Sequence, residues 1–368
     1  MTPHLSAAWS RRDILALALL RGVQGVDIRS AVEERPSLET VFTDPPPHLQ
    51  RILRQDELFS ARDIDALRTR ADQMLTQLAA IDARAVTFWD DDYPALLRQI
   101  AYPPVVLYVH GMLQASSSLA IAVVGTRRCT TYGRLCAERF AAELAQSGCV
   151  IVSGLANGID SIAHAATLDA GGITYAVIGS GLDRISPNHS RRLADRIIAG
   201  GGAVLSEYPL GTVARPGYFP QRNRIISGIA RAVLVVESRR EGGSLITAHF
   251  ALDQSRDLFA VPGNITAPTS EGTNELIARQ KAMAAISPAQ VLAELGIVRQ
   301  EPAEQKPPDF ASPLEAQIWQ ELSGEPQSAD DIAAALDLPV SEVLSALFMM
   351  EFRGAVRQLA GKQFIRVH

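Results

Sequence analysis

Arg222-Asn223-Arg224 stands behind Phe219-Pro220-Gln221 and ahead of the apolar pair Ile225-Ile226. Guanidinium groups grip phosphate oxygens bidentately, so two arginines in this short stretch mark a candidate anion site. A second cationic stretch, Arg127-Arg128, follows Gly125-Thr126. Small residues recur at Ser153-Gly154 and at Gly243-Ser244, with Thr247 a few positions on. Glycines let backbone N–H groups approach an anion, and helix N-termini add partial positive charge. Ser244, ahead of LITAHFAL, reads as a helix N-cap.

Enzymatic chemistry would need an acid, a base or a nucleophile. Asp160, His164, Asp183, Glu207 and Glu237 are the candidates. His164 reads first as a packing histidine on a helix. Glu207 and Glu237 read first as partners of Arg222 or Arg224. No catalytic residue is assigned. The turn at Gly125 is not G-x-G-x-x-G, and no G-x-x-x-x-G-K-[ST] occurs, so neither a dinucleotide site nor a Walker ATPase is expected. Cys129, Cys136 and Cys149 lack metal-ligand spacing and read as reduced, mostly buried thiols. No metal or other cofactor is expected.

The elements that must position these residues follow from periodicity. Short β-branched runs recur at 119–125, 150–154, 174–179, 202–207, 232–237 and 258–263, with helical stretches between them. The repeat is near the ~30 residues of a βαβ unit. Continuous apolar strands imply a sheet covered on both faces, hence a Rossmann-like, doubly wound, mostly parallel sheet of about six strands. In such a sheet ligands bind beyond the carboxyl ends of the strands. Gly125, Ser153, Gly179, Glu207, Glu237 and Pro262 all fall there.

Residues 1–85 read as an N-terminal helical domain, with a helix, a glycine-containing turn and a helix over 11–34 and a further helix over 63–81. Its GVQGV turn resembles a helix-hairpin-helix or sterile-alpha-motif-like element, though a packing or dimerising role is favoured over DNA contact. The Rossmann-like domain takes 86–298. Residues 299–310, proline-rich and charged, read as a linker. Residues 311–368 read as three helices and a hairpin turning at Gly361, the winged-helix arrangement, with Ser328 and Asp331 as a capping box. Its third helix carries Glu342, Glu351 and only Arg353 as a base, which favours a protein-contact or structural role over duplex reading.

The chain has 368 residues, 47% apolar and 20% charged, and a net charge of −5. Its acidity excludes a generally basic nucleic-acid coat, so an anion site must be local. No stretch approaches the ~20 apolar residues of a membrane span, and the start lacks a cleavage signal. No membrane association is expected, and the compartment is expected to be the cytoplasm.

The motifs together closely resemble the DNA-processing protein A (DprA, Smf) family. They are, in order, DDYPALLRQIAYPPVVLYVHG, VVGTRR, SGLANGIDSIAH, GSGLD, LSEYPLG, FPQRNRIISG, GGSLITA, VPGNI and SEGTNELI. The resemblance implies a non-enzymatic protein that binds and protects single-stranded DNA and loads the RecA recombinase onto it in natural transformation. It also implies a homodimer formed through the Rossmann-like domain. Carried over by motif, the DNA pocket comprises Gly125, Thr126, Arg127, Ser153, Gly154, Phe219, Arg222, Asn223, Arg224, Gly243, Ser244 and Thr247. Arg222 and Arg224 would neutralise phosphates, Phe219 would stack on a base, and Asn223 would bond a base edge or hold the loop. Three departures touch loop detail. The family's A-H-x-G-A-L is Ala163-His164-Ala165-Ala166-Thr167-Leu168, Lys281 stands where a glycine is usual, and Ile185-Ser186-Pro187 replaces the usual YP.

The alternative is a nucleotide-processing phosphoribohydrolase of the lysine-decarboxylase-like Rossmann group, which uses P-G-G-x-G-T-x-x-E. Here Gly242–His249 lacks one glycine and places His249 at the glutamate position. A third reading is a recombinase-binding adaptor with no DNA contact of its own.

Overall fold

The computed structural model describes residues 9–20, 22–47, 49–50, 53, 61–114, 119–187, 190–297, 310–322, 326–359 and 361–366. Contacts divide the chain into two compact units, 1–299 and 300–368.

The first unit is built on a nine-stranded sheet of order β1-β2-β6-β5-β4-β3-β7-β8-β9. All six expected strands form: β3 (Ala120–Val124), β4 (Val150–Ser153), β5 (Thr174–Val177), β6 (Ala203–Ser206), β7 (Ala232–Val235) and β8 (Asp257–Ala260). They pair in parallel. Three strands were not read from the sequence. β1 (Ala83–Thr87) and β2 (Val106–Gly111) add antiparallel at one edge. The two-residue β9 (Met283–Ala284) adds in parallel at the other.

Strand side chains alternate between two cores, as the pleat requires. Ile121 and Val123 of β3 pack with Phe140, Ile159 and Leu292, from α6 (Thr131–Gln146), α7 (Ile159–Asp169) and α12 (Pro288–Glu294). Ala122 and Val124 face the opposite core with Ile225, Ile226, Ala248 and Ala251, from α9 (Tyr218–Ile229) and α10 (Gly243–Asp253). The chain leaves β3 toward β4 on one side and returns from β6 to β7 on the other, so the topological switch lies between β3 and β7.

The N-terminal helices α1 (Arg11–Ala18), α2 (Gly25–Glu34), α3 (Leu38–Thr43) and α4 (Ala61–Ala79) share the core of the second face. Trp9, Ile14, Leu17, Ile28 and Leu67 belong to one cluster with Leu107 and Val124. The boundary expected at 85/86 therefore falls inside β1, and the expected helical domain packs as part of the first unit. Buried apolar faces on α1 and α4 had no second layer of their own to cover them, and the sheet supplies it. A short helix, α5 (Ala95–Arg98), follows β1, and α8 (Arg191–Ala199) and α11 (Glu271–Ala278) precede β6 and β9.

The second unit has α13 (Pro313–Glu321), β10 (Gln327–Ser328), α14 (Ala329–Leu336), α15 (Val340–Phe352), β11 (Val356–Leu359) and β12 (Gln363–Arg366). Its antiparallel sheet runs β10-β12-β11. Ile318, Ile332, Val343, Leu347 and Phe364 form its core. The Ser328–Asp331 capping box forms as expected. Phe310, the last residue of the expected linker, lies 5.9 Å from Trp319 ring to ring and so packs on this unit. The rest of that linker lies outside the described residues. Among the described residues no single helix is long and apolar enough to cross a membrane.

Candidate nucleic-acid interface

Three turns meet at the carboxyl edge near the switch point. The turn after β4 is held by Asp160, whose Oδ2 accepts from the Gly154 N–H at 3.0 Å. Arg222, on α9, reaches the same turn from the other side. Its Nη1 donates to the carbonyl of Gly154 at 2.7 Å and to that of Val177. An added Cβ on Gly154 would lie 2.7 Å from both Arg222 Nη atoms and from Asp160 Oδ2, so only glycine fits between them. The first turn closes on the second: Thr126 N–H donates to Glu237 O at 2.8 Å, and Thr126 O accepts from Ile159 N at 3.2 Å. Gly158 precedes α7 with φ +79, in the left-handed region glycine tolerates.

Arg222 is 4% exposed. Burial pulls its guanidinium down to about 10, with the Asp160 charge opposing and the Arg127 charge reinforcing that fall. Burial raises the Asp160 carboxyl, against Arg222 and the N–H groups of Gly154 and Ala156. This corrects the expectation that Arg222 neutralises a phosphate of a strand lying across the sheet edge. Its head group is turned inward and occupied by two carbonyls. Arg224 is also engaged: Nη1 and Nη2 meet Glu207 at 2.7 and 2.6 Å, and Nε donates to Tyr102 O at 3.0 Å. Burial lowers the Arg224 guanidinium, but the Glu207 carboxylate more than offsets it and leaves it above its ordinary value.

Arg127 is placed differently. It is exposed, its guanidinium carbon sits 5.7 Å over the Phe219 ring, and neither it nor Arg128 is ion-paired among the described residues. Phe219 is half-buried, with its Cδ1 close to Gly179. Asn223 is half-buried one helical turn further along α9. The sequence reading missed an aromatic pair beside this rim. Tyr208 and Tyr218 stack with ring centroids 4.3 Å apart, and Arg215 lies 5.9 Å over Tyr218. The signal was present, since Tyr208 belongs to LSEYPLG and Tyr218 directly precedes Phe219.

Among the remaining expected site residues, Ser153 is buried and donates to Val123 O at 2.6 Å. Thr247 is buried at 1% exposure. Ser244 does not cap α10. The cap is Gly242, which offers no side-chain acceptor, and Ser244 Oγ donates to Ser238 Oγ at 2.9 Å. Gly125 sits tightly against Ile159, while Gly243 opens to solvent. α7 is likewise capped by a glycine without a side-chain acceptor. In α7 the first-turn N–H groups of Ile159 and Ser161 already donate to Thr126 O and Ala156 O, whereas in α10 those of Gly243 and Ser244 have no partner among the described residues; both helices point positive dipole ends at the carboxyl edge.

The five candidate acids and bases are each tied to a local contact. Glu237 accepts from Thr130 N at 2.9 Å, Thr130 Oγ1 at 2.5 Å and Thr269 Oγ1 at 3.3 Å, rather than from an arginine as expected. It forms part of the wall of an open cavity of about 470 Å³ beside α6. Asp183 accepts from Gly211 N at 2.8 Å. His164 is fully buried with Nδ1 2.6 Å from Thr174 Oγ1, and burial, then the Arg222 charge, pulls its ring down to about 3.

A doubly wound sheet with a cationic, aromatic rim at its switch point, joined in sequence to a winged helix, defines an α/β nucleic-acid-handling class. The chain belongs to the DNA processing protein A (DprA, Smf) family. The family model for DNA recombination-mediator protein A matches residues 84–296, and that for the DprA winged helix domain matches 301–362. Protein Smf of Escherichia coli is 38% identical over 275 residues, 73% of each chain. DNA processing protein DprA of Bacillus subtilis is 38% identical over 257 residues, 68% of this chain and 84% of the relative. The X-ray structure of the Streptococcus pneumoniae protein aligns with TM-score 0.64 at 33% identity, covering 77% of this chain and 98% of that one. A Helicobacter pylori DNA processing protein A, described for its single-stranded DNA binding mode, aligns with TM-score 0.53 at 29% identity over 58% and 96%.

Proposed function

We propose that this chain binds single-stranded DNA across the carboxyl edge of its sheet and delivers the strand to RecA, without catalysing a reaction on it. The observation that carries the reading is the exposed Arg127, without an ion-pair partner among the described residues, over the Phe219 ring and flanked by the glycine-capped starts of α7 and α10. The cation takes a backbone phosphate, and the N–H groups of Gly243 and Ser244 at the start of α10 supply further donors to it. Phe219, with Tyr208 and Tyr218 beside it, offers faces on which any base stacks. Arg222 and Asp160 hold the floor beneath and act on the strand through the turn at Gly154. Arg224 supports the start of α9 through Glu207.

The Helicobacter relative, described for its single-stranded DNA binding mode, and the recombination-mediator description of the family support the strand as ligand and recombination as context. We assign homodimerisation to the free sheet edge at β9, where Met283 and Ile286 are 38% and 73% exposed. The compartment consistent with this role is the cytoplasm.

Fluorescence anisotropy of oligothymidylate across a salt series tests the reading. Wild type should bind with a log–log slope of about −0.7 per phosphate contact, and Arg127→Ala should flatten it by one such step. No binding by wild type, or unchanged binding by Arg127→Ala, would move the site off this rim. RecA filament assembly on the bound strand, followed with and without the protein, tests delivery separately.

A further inference from the structure

Tyr102 is 69% exposed and has no part in the rim described above. A lone exposed ring is ordinary on a protein surface. This one is held in line with the rim. β2 runs antiparallel to β6, with Tyr108 opposite Ser206, so the residues ahead of β2 lie at the carboxyl end of β6. β1 is antiparallel to β2, and Phe88 N–H donates to Val105 O at 2.9 Å, which brings Phe88 to the same edge. Pro103 and Pro104 restrict the backbone after Tyr102, and the Tyr93 hydroxyl donates to Pro104 O at 2.7 Å. Arg224 joins this loop to α9: its Nε donates to Tyr102 O at 3.0 Å and its Nη1 to Gln221 O at 3.1 Å. Gln221 Oε1 accepts in turn from the Tyr208 hydroxyl at 3.3 Å.

Sheet order therefore sets the order of groups along the edge. Arg127 follows β3, Phe219 lies close to Gly179 after β5, Tyr208 follows β6 and Tyr102 precedes β2. From β3 to β2 is four strand steps, about 19 Å at about 4.8 Å each. A cation lies at the far end as well. Arg29, on α2, holds its guanidinium carbon 4.7 Å over the buried Phe88 ring. α2 docks there through Gly25, where an added Cβ would lie 3.4 Å from Pro103 O and Val105 Cγ2. Packing on Phe88 explains where this guanidinium lies. It does not explain an Nε buried without an acceptor, or a charge with no ion-pair partner among the described residues. Beyond Phe88 the edge turns acidic, with Asp90 paired to Arg11 at 3.0 Å and Asp92 to Arg84 at 2.9 Å. A phosphate backbone has nothing to gain further on.

We infer that the single strand crosses the carboxyl edge from Arg127 toward β2, where Tyr102 stacks on an outlying base and Arg29 takes the phosphate beside it; the inference rests on the single-stranded DNA reading above. The strand then runs away from the β9 edge assigned to the homodimer. α2 contacts the strand in addition to packing on the sheet. Tyr132 marks the opposite direction, half exposed and with its hydroxyl on Pro262 O after β8 at 2.7 Å.

The test uses the full chain with oligothymidylate of about 12 nucleotides. Tyr102→Ala keeps the carbonyl that Arg224 holds. It should bind about fivefold more weakly, the low end of a stacking contact, with the salt slope and unfolding midpoint of wild type. Tyr102→Phe should bind as wild type does. Arg29→Gln should flatten the slope by about 0.7. A strand carrying iodouracil, irradiated on the wild-type protein, should cross-link to the peptide that contains Tyr102. Wild-type affinity in Tyr102→Ala overturns the extension and leaves the rim standing, provided Arg127→Ala still flattens the slope. A wild-type slope in Arg29→Gln overturns the phosphate contact. Cross-linking to Tyr132 and not to Tyr102 overturns the direction of the strand. Failure of wild type to bind the strand overturns the rim and the extension together.

Discussion

The carboxyl edge has a floor and a rim, and an arginine in each behaves in opposite ways. Arg222 in the floor is 4% exposed, and its Nη1 donates to two carbonyls. Arg127 on the rim is exposed, without an ion-pair partner among the described residues, and lies over the Phe219 ring. A charge in the floor is desolvated on folding, so its partners serve to offset that cost. A charge on the rim keeps its water until a ligand displaces it. The difference teaches that arginines in one motif set need not share a role, and that depth decides which one meets the strand.

Measurements on the floor should change stability first. Arg222→Ala leaves Asp160 buried without its counter-charge and should cost about 3 kcal/mol in urea unfolding. Wild-type stability with lost strand binding would instead put Arg222 on the rim. His164 sharpens the same point through pH. Its ring titrates near 3 when folded, against 6.5 as reference, so the folded state binds fewer protons between those values. Stability should therefore fall as pH drops below 6.5, by about 2 kcal/mol from this group between pH 7 and 5. In His164→Gln that part of the acid-side loss should vanish.

Rim substitutions should leave unfolding midpoints alone and change binding. Phe219→Ala should weaken strand affinity by about 1 kcal/mol, the low end of base stacking because the ring is half-buried, with the salt slope unchanged. Arg127→Ala should weaken affinity and also flatten the slope, by about 0.7. If Phe219→Ala changed the slope, or Arg127→Ala the unfolding midpoint, the division between floor and rim would fail.

The winged helix offers the smallest effect. Its unit carries eight acidic residues against four Lys or Arg over 311–368. Arg353, the only base read on its third helix, is ion-paired to the buried Glu315. The outward side of α15 instead shows Phe348, Met349 and Phe352, at 52%, 56% and 89% exposure. Such a face suits protein contact better than a phosphate backbone. Phe352→Ser should leave single-strand affinity unchanged, and a clear loss would bring this unit into the DNA site.

Much of this was legible from residue order. The six parallel strands announce themselves as short β-branched runs, and Ser328 with Asp331 marks the start of α14, because strand period and helix capping are local properties. The edge strands β1 and β2 were not legible. ARAVT and VLYVHG carry no strand period distinct from their surroundings; β2 is placed by pairing with β6, from Tyr108↔Ser206 to Gly111↔Ala203, and β1 by pairing with β2, from Ala83↔His110 to Thr87↔Val106. The Tyr208–Tyr218 stack was half-legible, as one tyrosine within a quoted motif and one just ahead of another, whose contact needs the turn between β6 and α9.

The sequence by itself determined which residues gather at the carboxyl edge, since the βαβ rhythm sends every odd turn to the same side of the sheet. It also determined the family, through motifs whose order spans most of the chain. Only the tertiary structure decided which arginine faces solvent. The carbonyls that claim Arg222 lie 68 and 45 residues away at Gly154 and Val177, and the carboxylate that claims Arg224 lies 17 away at Glu207. Local pattern carries no record of such partners, because a guanidinium turns toward whichever acceptors the packed chain leaves unsatisfied.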